Sequence, residues 1–143
     1  MGVSRIFIDT NVFVYLFEDT GQRGKRATEI FKEISLRGDE VLTSALTLGE
    51  ILVKPLEAND LALADRYRRA FRGPTVRMLS FDEVAGERYA RIRQDRGIKA
   101  PDAIQLATAA AAGCDLFITN DDRLIGSRVQ GIHFIVSMER API

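Results

Sequence analysis

The sequence predicts an α/β fold in which a mainly parallel sheet of about five strands is covered by helices on both faces. Three observations carry that expectation. Short β-prone runs alternate with helix-spaced stretches along the 143 residues. Two of the runs, Arg5-Ile6-Phe7-Ile8-Asp9 and Asp115-Leu116-Phe117-Ile118-Thr119-Asn120-Asp121, are almost continuously apolar at their centres, as strands buried on both faces are. Each ends in an acid, and in open parallel sheets ligands bind beyond the carboxyl ends of the strands.

Taken in order, residues 4–9 read as the first strand. Asn11 to Phe17 opens a short apolar helix that stops near Asp19-Thr20-Gly21. Residues 22–37 are amphipathic: Ala27, Ile30, Phe31 and Ile34 fall on one helical face, and Gly38 supplies a stop. Glu40 to Ser44 reads as a short strand. Residues 46–54 are helical and are expected to end before Pro55. Residues 60–72 form the next helix, with Asn59 as N-cap and Gly73-Pro74 as terminator. Thr75 to Ser80 alternates like a strand. Ser80-Phe81-Asp82-Glu83 fits a capping box and opens a helix to about Arg96. Residues 101–112 are Ala-rich and helical, with Pro101 in the first turn and Gly113 closing. Residues 115–119 are a strand, 121–125 a short helix and 132–136 the last strand.

Composition narrows the function classes. Hydrophobic residues at 46% suffice for one core, and neither a repeat nor a long Gly/Ser linker divides the chain, so residues 1–143 are expected to form one domain. Twenty basic residues balance 20 acidic ones, so no global positive field announces nucleic-acid binding. The single cysteine, Cys114, excludes an internal disulfide and a multi-Cys zinc site, which fits a reducing cytosol. Neither a signal-peptide pattern nor an apolar stretch of the ~18 residues a membrane helix needs is present. A soluble, cytoplasmic protein is expected. The dinucleotide-binding class is disfavoured, because no Gly-x-Gly-x-x-Gly comes after the first strand.

The acids carry the chemistry. Asp9 and Asp121 fall at strand ends, while Glu50 and Asp102 lie in or at the start of helices. Carboxylates gathered at one end of a parallel sheet would hold a hard divalent metal, which points to phosphodiester chemistry. Each acid also has a purely structural role open to it. Asp9 sits in the turn-prone Asp-Thr-Asn, and Thr47-Leu48-Gly49-Glu50 could be a capping box. Asp102 suits a helix N-terminus, and Asp121 could cap the short helix expected after it. His133 and Cys114 read as structural.

Local context decides between the two. Ile8-Asp9-Thr10-Asn11-Val12, Thr47-Leu48-Gly49-Glu50-Ile51-Leu52, Pro101-Asp102-Ala103-Ile104-Gln105-Leu106-Ala107-Thr108-Ala109 and Phe117-Ile118-Thr119-Asn120-Asp121 occur in this order. Together they resemble the PIN-domain family, in particular the VapC-type ribonuclease toxins of toxin–antitoxin pairs. The resemblance implies a three-layer α/β/α sandwich and an endoribonuclease that uses Mg²⁺ or Mn²⁺. It implies Asp9, Glu50, Asp102 and Asp121 as catalytic metal ligands, with Thr119 in support. Thr10 and Asn11, next to Asp9, are further supporting candidates, and Asp122 competes with Asp121 as fourth ligand. Attack by a metal-activated water would leave 5′-phosphate and 3′-hydroxyl ends. The implied partners are the RNA substrate, a VapB-type antitoxin and a second copy of the chain in a homodimer. Ile51, Leu52, Leu56, Leu61 and Leu63 are candidate interface residues.

Arg66, Arg68, Arg69 and Arg72 cluster on one helix and Arg88, Arg91, Arg93 and Arg96 on another; most read as solvated faces with helical ion pairs, and some are expected to line an RNA groove. Lys99, Arg96, Arg69 and Arg72 are the candidate RNA-binding residues. Asp65 and Arg69 have the spacing of a helical ion pair. Tyr67 and Tyr89 could stack on bases, although Tyr89 with Ala85 and Ile92 equally fits a core stripe. The alternatives are a receiver-like module and a non-catalytic PIN-like scaffold. A receiver would need an acid pair after the first strand, where this sequence has Asp9 followed by Thr10 and Asn11.

Overall fold

In the computed structural model, which describes residues 2–143, the apolar runs pair as expected. The strands are β1 (Arg5–Ile8), β2 (Glu40–Ser44), β3 (Val76–Leu79), β4 (Cys114–Thr119) and β5 (Ile132–Ser137). Every pairing is parallel, in the order β3-β2-β1-β4-β5. The helices are α1 (Thr10–Glu18), α2 (Gln22–Arg37), α3 (Ala45–Glu57), α4 (Leu61–Arg72), α5 (Glu83–Ile92) and α6 (Ala100–Ala112). The chain grows outward from β1 on one side through β2 and β3, then crosses to β4 and β5 on the other. The crevice between the ends of β1 and β4 is therefore the switch point at which such sheets bind ligands.

Alternation along β1 splits the core in two. Ile6 and Ile8 join Leu116, Ile118, Val12, Phe13, Ile30, Ile34 and Phe71 on one face. Phe7 joins Leu42, Phe117, Leu106, Ala109 and Ile135 on the other. Phe7 and Phe117 stack there with ring centroids 5.0 Å apart, and burying one such side chain contributes about 1.5–3 kcal/mol. The layers are thus helix, sheet and helix. Cys114 is buried at the start of β4, where desolvation pushes its thiol up to about 12. Gly24 lets α2 pass close under the end of α1: a Cβ there would lie 1.8 Å from the Asp19 carbonyl oxygen. None of the described helices is long and apolar enough to cross a membrane.

Several boundaries differ from the sequence expectation. The third helix does not stop before Pro55 but runs through it to Glu57. Pro55 falls in the last turn, where it costs one hydrogen bond, and its buried ring and the bond from Asp60 N to its carbonyl hold the end in place. The N-cap of α4 is Asp60, which accepts from Leu63 N at 3.1 Å, while Asn59 takes a left-handed φ of 53°. Asp82 rather than Ser80 caps α5, accepting from Ala85 N at 2.9 Å. That helix ends at Ile92, four residues before Arg96, in turns closed by Asp95 and Gly97. Residues 121–125 form turns with i→i+3 bonds instead of a helix. Asp65 pairs with Arg68 at 3.0 Å and not with Arg69. Tyr67 is no base-stacking platform. It is buried against Phe17, with its hydroxyl donating to Glu18. Ala85 is buried, and Tyr89 and Ile92 pack against the core on the Phe7 face, which is the core-stripe reading.

Candidate functional site

Register brings the first acid to the switch point. Ile8 is paired with Ile118, and Asp9 N donates to the Ile118 carbonyl at 3.0 Å. The carboxylate of Asp9 is only 6% exposed and sits as N-cap of α1. Its Oδ1 accepts from Thr10 N at 2.9 Å and from Gln105 Nε2 at 3.3 Å, and its Oδ2 accepts from Thr119 Oγ1 at 2.7 Å. Burial pushes its pKa above the usual carboxylate range, those hydrogen bonds pull it back, and nearby Asp102 adds to the rise.

Gln105, on the inner face of α6, ties this half together. Its two N–H donors are shared among Asp9 Oδ1, Thr10 Oγ1 at 3.2 Å and Thr47 Oγ1 at 2.7 Å. Its Oε1 accepts from Ser44 Oγ, and the same Ser44 oxygen caps α3 by accepting from Thr47 N at 3.2 Å. The capping-box reading of Thr47–Glu50 therefore falls: Thr47 lies inside α3, and Ser44 is the cap. Glu50 is exposed on α3 and joins through Thr10, whose hydroxyl donates to Glu50 Oε1 at 2.7 Å. Among the described residues no buried side-chain nitrogen or oxygen lacks a partner, so the network is closed.

The other half is electrostatic. Asp102 lies in the first turn of α6, half-buried, and its pKa is raised by desolvation and by the charge of Asp121. Asp121 follows β4, with its backbone N–H donating to Thr119 Oγ1 at 3.1 Å. Arg123 grips it through Nε to Oδ1 at 3.0 Å and a second nitrogen to Oδ2 at 2.7 Å, and reaches Asp102 Oδ2 at 3.7 Å. Hydrogen bonds from Arg123 hold the Asp121 carboxyl below the usual range. Lys99, just before α6, favours the charged forms of both acids. Asp122 is exposed and makes none of these contacts, so geometry favours Asp121 as the fourth acid.

Thr119, Thr10 and Asn11 all take part: Asn11 Oδ1 accepts from Asn120 N at 3.1 Å and holds the β4 exit against α1. Lys99 stands near the acids, whereas Arg69 and Arg72 lie on α4, which packs against α3 and leads into the edge strand β3. Arg96 is exposed in the turns before α6. His133 is exposed on β5 and faces Asp115 at 3.3 Å. Sequence reasoning assigned no role to Gln105, Ser44 or Arg123, and took Thr47 only as a possible helix cap.

An oxygen-only donor set suits a hard divalent ion. Asp9 is coupled electrostatically to Asp102, and Asp102 to Asp121, so a cation among them would relieve mutual repulsion. Among the described residues, however, no three His, Cys, Asp or Glu side chains converge in a geometry that holds an ion as they stand. The cationic partner of Asp102 and Asp121 is the Arg123 guanidinium. The residues fit a metal by chemistry, provided that guanidinium turns away.

Comparison with known proteins agrees with the fold. The family described as PIN domain matches residues 6–127. No curated relative matches the sequence. Among solved structures, VapBC2 from Rickettsia felis bound to a promoter DNA fragment superposes with a TM-score of 0.73 at 14% identity, covering 93% of this chain and 98% of that one. A toxin–antitoxin complex from Klebsiella pneumoniae superposes at 0.66 with 25% identity, covering 89% and 94%. The sarcin–ricin-loop-cleaving toxin VapC20 from Mycobacterium tuberculosis superposes at 0.60 with 20% identity, covering 78% and 86%. The receiver-like alternative falls on strand order: doubly wound receivers run 2-1-3-4-5, and this sheet runs 3-2-1-4-5.

Proposed function

The chain belongs to the PIN-domain family, and from that premise we propose that it is a metal-dependent endoribonuclease, the toxin of a type II toxin–antitoxin pair. One observation carries the reading: a buried carboxylate, Asp9, is fixed at the β1/β4 switch point, with Asp102 and Asp121 coupled across the crevice. When bound there, Mg²⁺ or Mn²⁺ would lower the pKa of a water and neutralise charge on the phosphate, giving 5′-phosphate and 3′-hydroxyl ends. Asp9, Asp102 and Asp121 would hold the ion, with Glu50, linked to Asp9 through Thr10, as a further ligand. Thr119 orients Asp9 and the Asp121 backbone at once. Gln105 keeps Asp9, Thr10 and Thr47 in one arrangement, which is the preorganisation that positioned catalysis needs.

Arg123 competes with the ion in this reading. With an ion held by Asp121 and Asp102, the Arg123 guanidinium would be free of them and available at the edge of the site to meet a phosphate. The partner is a small antitoxin, supported by the toxin–antitoxin complexes among the similar structures. Of the interface candidates, Leu56 and Leu61 are exposed on α3 and α4, whereas Ile51 is buried and Leu52 and Leu63 pack against the core. The exposed pair, with Val53, is the face that suits an antitoxin or a second copy.

The test is cleavage of RNA by the purified chain with Mg²⁺, Mn²⁺ or EDTA, beside Asp9→Asn and Asp102→Asn. Cleavage is expected only with metal, and each variant should lose more than about 100-fold, beyond the loss typical of an outer-shell partner. Metal should also raise the melting temperature of the unaltered chain and not that of Asp9→Asn. Cleavage that persists in EDTA or in either variant would overturn the mechanism.

A further inference from the structure

Beside the acidic site lies a second concavity, of about 260 Å³, lined by Arg88, Arg91 and Arg128 together with Ile98, Ser127 and Gln130. Its walls are continuous with the site. The segment from Ile92 to Ile98 runs straight into α6 and Asp102, and the loop from Ser127 to Gln130 is the continuation of the chain past Asp121 and Arg123. Ile98 comes four positions before Asp102 and Ser127 six positions after Asp121, so at ~3.5 Å per residue the near walls of the hollow lie within roughly 20 Å of the acids.

The three guanidinium groups are not consumed by the fold. None of them forms an ion pair among the described residues. Arg88 makes one hydrogen bond, to the Gln130 carbonyl at 3.2 Å, which sets one wall against the other. Arg91 and Arg128 are exposed. The carboxylate in the hollow, Asp95, is engaged by Gly97 N at 2.9 Å, and Glu83 and Glu87 line a neighbouring hollow that Arg88, Arg91 and Gln130 also border. Within this hollow three arginines thus meet a single carboxylate, in a chain whose net charge is zero.

We propose that this hollow is an RNA-backbone subsite: Arg88, Arg91 and Arg128 hold phosphates a few nucleotides from the scissile bond. The inference rests on the nuclease reading and deepens it. Arginine forks match phosphate oxygens, and a single strand leaving the acidic crevice along either wall meets them next. The subsite sets strand direction and affinity and takes no part in bond breaking. Of the four candidate RNA contacts in the sequence, it lies by Lys99 and Arg96, which flank Ile98 in the chain, and not by Arg69 and Arg72 on α4.

The test measures binding in EDTA to a labelled single-stranded RNA of about 20 nucleotides, longer than the ~4–16 that one small domain covers. The combined Arg88→Ala, Arg91→Ala, Arg128→Ala variant should bind at least about tenfold more weakly, and its log–log salt slope should fall by about 2, at ~0.7 per single-strand phosphate contact. The triple Lys variant should recover most of the slope, and all three proteins should melt alike. With Mn²⁺, cleavage of a tetranucleotide should be unchanged in the Ala variant. An unaltered affinity and slope would overturn the subsite and leave the nuclease reading standing. Loss of binding in the variant, in a chain that never cleaves, would uphold the arginines as RNA-backbone contacts but overturn the nuclease reading and, with it, their place beside a scissile bond. Failure of the unaltered chain either to bind or to cleave RNA would overturn both.

Discussion

The two halves of the carboxylate site are held by different physics. Around Asp9, donors on three elements converge, Thr10 on α1, Gln105 on α6 and Thr119 on β4, and Gln105 also donates to Thr47 on α3. Around Asp121 and Asp102, one exposed guanidinium does most of the holding. The first half is fixed by packing and directional bonds, so it should ignore salt. The second is a balance of charges near water, so it can rearrange when another cation arrives. A site of this kind keeps one carboxylate rigid and lets the others adjust.

The largest effect expected from breaking that contrast comes at Gln105. Gln105→Ala leaves Asp9, Thr47 and Ser44 each short of a partner. Activity or metal affinity should fall by about 10–100-fold, and urea unfolding should show a loss of about 1–3 kcal/mol. Wild-type stability in that variant would mean that the rigid half is not held by its network.

A smaller effect separates the halves by pH. The folded-state pKa values of Asp9 and Asp102 lie above the unfolded value near 3.8, so the folded state binds more protons there. Their contribution to metal-free stability therefore falls as pH rises from about that value through the raised pKa. For Asp121, whose folded pKa is depressed, the contribution is present above the unfolded pKa and is lost as pH falls through the folded one. Asp9→Asn should flatten the first slope and Asp121→Asn the second, read from melting temperature across acidic pH in EDTA. Identical profiles for the two variants would erase the distinction.

The smallest effect is expected at the exposed arginine. Arg123→Ala should lower the Mn²⁺ concentration at the midpoint of the thermal shift by roughly two- to fivefold, the range of a surface ion pair. The gain should shrink in high salt. Weaker metal binding in that variant would show that Arg123 supports the ion instead of competing with it.

Much of this was legible in the sequence, and the misses share a cause. Asp9, Thr10, Asn11 and Thr119 stand in runs whose local pattern already places them at strand ends. The five strands and the spans of α2 and β2 follow from periodicity alone. Gln105 was missed because its partners lie 58 to 96 residues away, and no local rule links them. A signal was present: a lone Gln among Ala103, Leu106 and Ala107 is a polar group at a core position, and such groups need partners. Arg123 was missed because it contacts Asp121 at i+2, which requires that residues 121–125 not be the helix expected there. The end of α3 was misjudged because a proline in a last turn costs less than one in the middle, and tertiary burial outweighed that cost.

Cys114 offers a clock for the whole sheet. It is the chain's sole thiol, it is buried at the head of β4, and burial keeps it protonated at neutral pH. A thiol reagent reacts with thiolate, so modification must wait until the strand is uncovered. The rate of single-site labelling thereby counts openings of the strand whose other end leads to Asp121. Any ion or polyanion that steadies the closed form should slow that count, in a readout that needs no substrate turnover.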